Sequence, residues 1–275
     1  LLGRRGLVAI CLLTFIILTR LYATNGITPD TFRLSILVLV CFELVIITFA
    51  AISLSASAIA KDREDGSLYL LLTTSITPKI YLGGKVRGLT MHLLPMVLVP
   101  CLTMMVVGVI VLLDPSGAVV GTQLVGSNSY TDVPLALVAP ALLTPIVVFP
   151  YIAFCLALGL LWSMRSKGSI SATVSSLILV LVITGGLGMC MIPSSSMGHI
   201  GSFFAAMSPI NAVRSTLMSV EFIPSKVEQG VATANISLAV GFIVAGILWS
   251  FISMGLLRSM SASFVITVRR LAGIS

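Results

Sequence analysis

Charged side chains are scarce in this chain, and the densest group of them is the run Lys61–Asp65. In the leucine-rich block that follows, Leu68, Leu71 and Leu72 recur at i, i+3 and i+4 and therefore share one helix face. Carboxylates in front of such a block suit the positive end of a helix. An apolar face rimmed by charge is typical of a docking surface, and a helix that lies on the membrane interface is an equally good interpretation.

Other residues whose types could do chemistry fail on their spacing. Lys79 stands where a phosphate-binding loop that ends in Gly84-Lys85 would need glycine. A calcium loop that begins near Asp62 would need glutamate at the position of Thr73. The two histidines are far apart, and the five cysteines form no C-x-x-C pair. We therefore expect no catalytic residue, no metal site and no cofactor in this chain.

Composition places the chain in a membrane. Of its 275 residues, 57% are hydrophobic and only 9% are charged, and the mean hydropathy is +1.15. Soluble domains carry about 25% charged residues, so this chain could not cover a surface that faces water. The formal charge of +7 comes from Lys and Arg residues that lie between apolar runs, where topology signals belong, and it does not indicate nucleic-acid binding.

Six apolar runs are long enough to cross a hydrocarbon core about 30 Å thick. They are Leu7–Tyr22, Leu34–Ala60, Leu89–Leu113, Leu135–Met164, Ile170–Ile192 and Thr233–Leu257. We expect an all-α integral membrane protein with six transmembrane helices. From Ala50 to Ala60 the sequence is mostly Ala and Ser, which lets helix backbones approach closely.

Three Ser/Thr-Pro pairs predict helix starts, because each offers an N-cap hydroxyl and a first-turn proline. Thr28-Pro29 precedes the second span, Thr77-Pro78 a short helix before the third, and Ser208-Pro209 a short helix before the sixth. If the N-terminus is cytoplasmic, twelve of the sixteen Lys and Arg fall on the cytoplasmic side. We therefore expect both termini and the loop 61–88 to be cytoplasmic.

Glu43 lies inside the second span. A carboxylate within the membrane costs ~2.5–3.5 kcal/mol on insertion scales, so it normally faces a partner or a wet cavity. Two interpretations stay open. Glu43 is either a structural acid paired inside the bundle or a residue that lines a substrate pathway.

The loop between spans two and three carries a pattern in four segments: Arg63-Glu64-Asp65-Gly66-Ser67-Leu68, Leu71-Leu72-Thr73-Thr74, Pro78 and Gly84-Lys85. This pattern resembles the cytoplasmic loop of type-2 ATP-binding-cassette (ABC) transporter permeases. The stretch 208–212 similarly resembles the family's short re-entrant outer helix before span six. Two positions depart from the pattern, because Asp62 stands where a small residue is usual and Ser75 where proline is common.

The resemblance implies a permease subunit of an ATP-driven exporter in a plasma membrane, such as a bacterial inner membrane. One transmembrane domain would span residues 1–275, with a cytoplasmic coupling helix in 61–88, short outer helices in 193–232 and no nucleotide-binding domain. A separate ABC ATPase subunit would bind ATP and Mg, and a second permease subunit would complete a homo- or heterodimer. The ATPase-coupling residues that it implies are Arg63, Glu64, Asp65, Gly66, Leu68, Leu71, Leu72 and Thr73.

Two other classes of function remain as alternatives. The first is a membrane-embedded enzyme or processing factor, against which stands the lack of paired acids, metal ligands or a nucleophile motif. The second is an ion-coupled secondary carrier, which would favour several midplane charges and inverted repeats. Glu43 is the one clear midplane charge, and no repeat is visible in the sequence.

The charge bias predicts that the two sides of the membrane can be told apart by labelling. In a cysteine-free background, Ser67→Cys and Ser127→Cys should react with an impermeant thiol reagent from opposite sides, with Ser67→Cys reacting from the cytoplasm. Labelling of both cysteines from outside would contradict the predicted topology.

Overall fold

Helices make up most of the described structure. A computed structural model describes residues 2–65, 78–113, 119–123, 130–166, 168–189, 206–218 and 227–271. The seven helices within these residues are α1 Leu2–Ala23, α2 Pro29–Glu64, α3 Pro78–Leu113, α4 Val138–Arg165, α5 Ser169–Met189, α6 Pro209–Leu217 and α7 Val227–Leu271.

The prediction of six transmembrane helices is confirmed at the level of length and composition. All helices except α6 are long and apolar enough to cross a membrane, and each corresponds to one predicted span. The chain is therefore a multi-pass membrane protein. Helices α2 and α3 contain 36 residues each, about 54 Å of helix, whereas roughly 20 residues suffice to cross the hydrocarbon core.

The start of α2 follows the predicted capping. Pro29 is its first residue, and the Thr28 hydroxyl accepts a hydrogen bond from the Thr31 amide at 3.3 Å. Helix α6 also begins where it was predicted, with Ser208 at the N-cap position and Pro209 next. The Ser208 hydroxyl makes no capping hydrogen bond, however, so that part of the prediction is wrong.

The prediction of a separate short helix after Thr77-Pro78 is also wrong. Helix α3 begins at Pro78 and continues without a break to Leu113. Gly83 and Gly84 lower the helix propensity of this segment but do not remove backbone donors as proline does. Leu82 is 4% exposed, and its burial stabilises this first part of the helix.

A β-hairpin adds a feature that the prediction of an all-α protein did not include. Strand β1, Val119–Gln123, pairs in antiparallel register with β2, Tyr130–Pro134, from Val119 opposite Pro134 to Gln123 opposite Tyr130. Valine, threonine and tyrosine predominate in both strands, and these residues favour pleated backbone. The hairpin precedes α4 in the chain.

The contacts within the chain divide it into two compact units. The first consists of Leu1–Val45, Pro95–Phe149 and Gly186–Gly246, and the second of Ile46–Leu94, Pro150–Gly185 and Ile247–Ser275. Helices α2, α3, α4, α5 and α7 each contribute residues to both units. The predicted single domain over residues 1–275 stays a prediction.

In the first unit, α2 is apolar on two faces. The buried side chains on its inner face are Phe32, Ile36, Val40 and Leu44, whereas Leu34, Val38, Phe42 and Val45 are exposed. Exposed apolar side chains at this density need hydrocarbon as their solvent. The short helix α6 lies in the same unit, and its Thr216 carbonyl accepts a hydrogen bond from the Leu137 amide at 2.9 Å. The Ala139 amide, at the start of α4, donates to the side chain of Asn235 on α7 at 3.2 Å.

In the second unit, α2 and α4 approach at the small residues that the sequence indicated. A Cβ on Gly159 would contact the Ser55 hydroxyl and would lie 3.2 Å from the Ala56 amide nitrogen. One turn further along α4, the Ser163 hydroxyl accepts hydrogen bonds from the amides of Ile59 at 3.2 Å and Ala60 at 2.9 Å. These contacts join the two helices closely just before α2 reaches its charged end.

This close approach predicts an asymmetry between two glycines. Gly159→Ala should destabilise the protein by about 1–3 kcal/mol, because the added methyl group must push the backbone of α2 away. Gly255→Ala is the matched control, since no atom of the described residues outside the adjoining helix backbone and chain neighbours lies within 4 Å of its Cβ position. Thermal unfolding in detergent measures both. Equal midpoints for Gly159→Ala and the wild type would contradict the close packing of α2 on α4.

Candidate functional site

The predicted ATPase-coupling residues fall at and beyond the end of α2. Arg63 and Glu64 lie in the last turn of this helix, and Asp65 follows it with an exposed side chain. The other five predicted residues, Gly66, Leu68, Leu71, Leu72 and Thr73, lie outside the described residues. Their coupling roles, and the coupling helix itself, stay predictions.

The structure describes the two helix ends from which this loop leaves, here called the stems: residues 58–65 of α2 and 78–89 of α3. Asp62 joins them. Its Oδ2 atom accepts a hydrogen bond from the Tyr81 hydroxyl at 2.6 Å and lies 2.7 Å from Lys85 Nζ. Lys85 Nζ also lies 3.4 Å from the Ala58 carbonyl oxygen and 5.9 Å from the centre of the Tyr81 ring. One carboxylate on α2 thus binds two side chains on α3.

An apolar cluster packs against the same stems. Its buried members come from four helices and are Ile59, Leu82, Leu160, Met164 and Met260. The two stems are therefore in contact with α4 and α7 as well as with each other. A displacement of either stem has to be accommodated by those helices, because close-packed side chains transmit strain.

One side of the α3 stem is open. A groove of about 500 Å³ lies between Ala58 and the face of α3 that runs from Ile80 to Leu89. At Gly84 and Gly88, no atom of the described residues outside the adjoining helix backbone and chain neighbours lies within 4 Å of where a Cβ would be. The α3 stem is thus buried at Leu82, whereas the groove at its glycines is also lined by Tyr81 and Lys85, the two residues that bind Asp62.

The sequence did not predict the contact of Asp62 with Tyr81 and Lys85. The sequence marks Asp62 as a member of the charged run Lys61–Asp65, as the start of a failed calcium loop and as a departure from the loop pattern, and it marks Lys85 as part of Gly84-Lys85. Neither signal relates Asp62 to Lys85. One signal was present, because Tyr81 and Lys85 are four residues apart and share a helix face. Their partner Asp62 is 19 residues from Tyr81, and no local pattern reports such a contact.

Glu43 lies on the buried face of α2 in the first unit and is 2% exposed. Neither carboxylate oxygen has a hydrogen-bond partner among the described residues. The thiol of Cys11 lies beside it and is a weak donor. The sequence left open a pairing with a hydroxyl, and the described residues supply none. A buried carboxyl group whose nearest donor is a weak one lowers stability. Both interpretations of Glu43, the structural acid and the residue that lines a substrate pathway, stay predictions.

The described residues contain no group of three or more His, Cys, Asp or Glu side chains that could hold a metal ion. Comparison of the chain with known protein families, with curated proteins and with solved structures finds no match. The class that the fold defines is a multi-pass membrane protein with six apolar helices long enough to cross a membrane.

The burial of Glu43 predicts a gain in stability when its carboxyl group is removed. Glu43→Met should raise the free energy of unfolding by about 1–3 kcal/mol, because it replaces unpaired polar atoms by apolar ones of similar length. Glu43→Gln keeps polar atoms at the site and should give little gain. Thermal unfolding in detergent measures both. A loss of stability in Glu43→Met would mean that the carboxylate has a partner beyond the described residues.

Proposed function

We propose that this chain is the permease subunit of a type-2 ABC transporter and acts as an exporter. The observation that carries the proposal is the loop pattern that extends from Arg63 to Lys85. It combines a charged segment, a leucine face, a Thr/Ser/Pro turn and a Gly-Lys pair in one order, between two spans. The six apolar helices of the chain agree with the usual layout of this family.

The stems support the proposal through their length and their connection. Both α2 and α3 are much longer than a bilayer crossing requires, so part of each helix is free to extend beyond the hydrocarbon. The pattern residues Arg63, Glu64, Pro78 and Lys85 lie on these two helices at the ends next to the loop. A helix that enters an ATPase groove between two such stems would act on both of them.

The proposed mechanism uses a separate ATPase and a second permease subunit. The ATPase binds ATP with Mg and supplies the energy, and its closure moves the leucine face of the loop. The stems pass this movement through Ile59 and Leu82 to the helices that share their apolar cluster. A substrate pathway between two permease subunits then changes the side to which it opens. The chain itself contributes binding and movement and no hydrolysis.

An ion-coupled carrier is the second candidate, and the buried carboxyl group of Glu43 is the observation that favours it. The two candidates differ in their energy source. Export that continues in the absence of ATP and stops when the ion gradient is dissipated would favour the carrier.

Replacement of the loop leucines tests the proposal directly. Leu71→Asp with Leu72→Asp should reduce affinity for the ATPase more than about 100-fold, because burial of two unpaired carboxylates costs several kcal/mol. Leu71→Met with Leu72→Met is the matched control and should keep the partner, because it preserves an apolar face. The measurement is co-purification from native membranes of a protein with a Walker A sequence and vanadate-sensitive ATP hydrolysis.

Two outcomes of this experiment would contradict the proposal. In the first, no such ATPase accompanies the wild-type chain. In the second, the double Asp variant retains the ATPase and its turnover, which would mean that this loop is not the coupling element.

A further inference from the structure

We propose that Asp62, Tyr81 and Lys85 form a latch that fixes the angle between the two stems and so positions the loop for coupling. The coupling part of this inference rests on the proposed function. The three residues are positioning residues, because they act on the ATPase partner through the loop that the stems carry.

The geometry of the latch opposes two kinds of movement. Tyr81 and Lys85 are one turn apart on α3, and both reach the same carboxylate oxygen of Asp62, at 2.6 and 2.7 Å. Two anchors on one helix and one on the other resist sliding of α3 along α2. They also resist rotation of α3 about its axis, because the two anchors share one helix face and rotation would carry both away from Asp62.

The latch is placed where it can open without unfolding the protein. Asp62 and Lys85 side chains are 25% and 31% exposed, so water can replace either partner. The apolar cluster around Ile59 and Leu82 keeps the helices together when the ion pair is broken. The groove at Gly84 and Gly88 borders the latch, since Tyr81 and Lys85 also line it, and the described residues leave space there into which the stem can tilt.

The α2 side of the latch has a firm base. The amides of Ile59 and Ala60 donate to the Ser163 hydroxyl, and Gly159 lets α4 lie directly against Ser55. Asp62 follows two residues after Ala60 on the same helix. Movement of the α3 stem therefore reaches α4 through Asp62 and the α2 backbone, as long as the latch is closed.

Hydrogen exchange tests whether the latch holds the stems. All proteins are measured in lipid nanodiscs. Relative to the wild type, Asp62→Asn and Lys85→Met should each accelerate amide exchange in residues 58–64 and 80–86. The expected change is roughly two- to fivefold, the effect of losing a partly exposed ion pair. The double variant should be no faster than either single one, because both remove the same interaction.

Asp30→Asn is the matched control, since it breaks the 2.8 Å ion pair with Arg33 inside one helix. It should leave stem exchange unchanged, and unchanged exchange in Asp62→Asn would overturn the latch.

Turnover of the bound ATPase tests whether the latch positions the loop for coupling. Asp62→Asn and Lys85→Met should still bind the ATPase. The stimulation of ATP hydrolysis by these variants should be several-fold lower than by the wild-type permease. The exchanged pair Asp62→Lys with Lys85→Asp should restore part of that turnover, which a role in folding alone would not predict. Faster stem exchange with unchanged turnover would overturn the coupling role. If no ATPase accompanies the wild-type chain, the proposed function and the coupling role both fail, and the exchange experiment still decides whether the latch exists.

Discussion

Backbone hydrogen bonding is the constraint on which the whole structure depends, because hydrocarbon offers no partner to an unpaired peptide group. Hydroxyl side chains inside the spans meet the same demand by bonding to their own helices. Thr103 donates to the Val99 carbonyl at 2.9 Å, and Ser176 donates to Ala172 at 2.7 Å. Ser163 is different, because its oxygen accepts from two amides of another helix. It uses polar atoms to join helices in a solvent where apolar contact gives little preference between a helix and lipid.

Helices were predictable from the sequence and their tertiary contacts were not. The sequence predicted α2 from its long apolar run and from Thr28-Pro29, because span length and capping are local properties. The same reasoning predicted a short helix separate from the third span where α3 is continuous, since local patterns do not include the burial of Leu82. The hairpin of β1 and β2 was overlooked because its residues lie between long apolar runs, which dominated the interpretation of that region. The contact of Asp62 with Tyr81 and Lys85 depends on where two helices meet, which one sequence does not report.

Two acids in one helix illustrate how environment decides what a carboxyl group can do. Asp62 is partly exposed and bound by a hydroxyl and an ammonium group, so its charge is compensated. Glu43 is buried and has no such partner among the described residues. The sequence identified Glu43 as unusual because an acid among apolar residues stands out, and it gave Asp62 little weight because four charged neighbours surround it. Isolation in a sequence is thus a guide to burial rather than to tertiary contact.

The two-residue interval between Ala60 and Asp62 has a consequence for how this chain can diverge. An α-helix turns about 100° per residue, so one inserted or deleted residue in this interval would carry the carboxylate a quarter turn or more around α2. The amides bound by Ser163 would stay in place, whereas the aspartate would face away from α3. Related chains that keep both contacts must therefore preserve this interval, whereas length changes in α2 before Ile59 or after Asp62 leave the interval unchanged. The Ser163 hydroxyl on α4 thus fixes the position of α2 from which the direction of the Asp62 side chain follows.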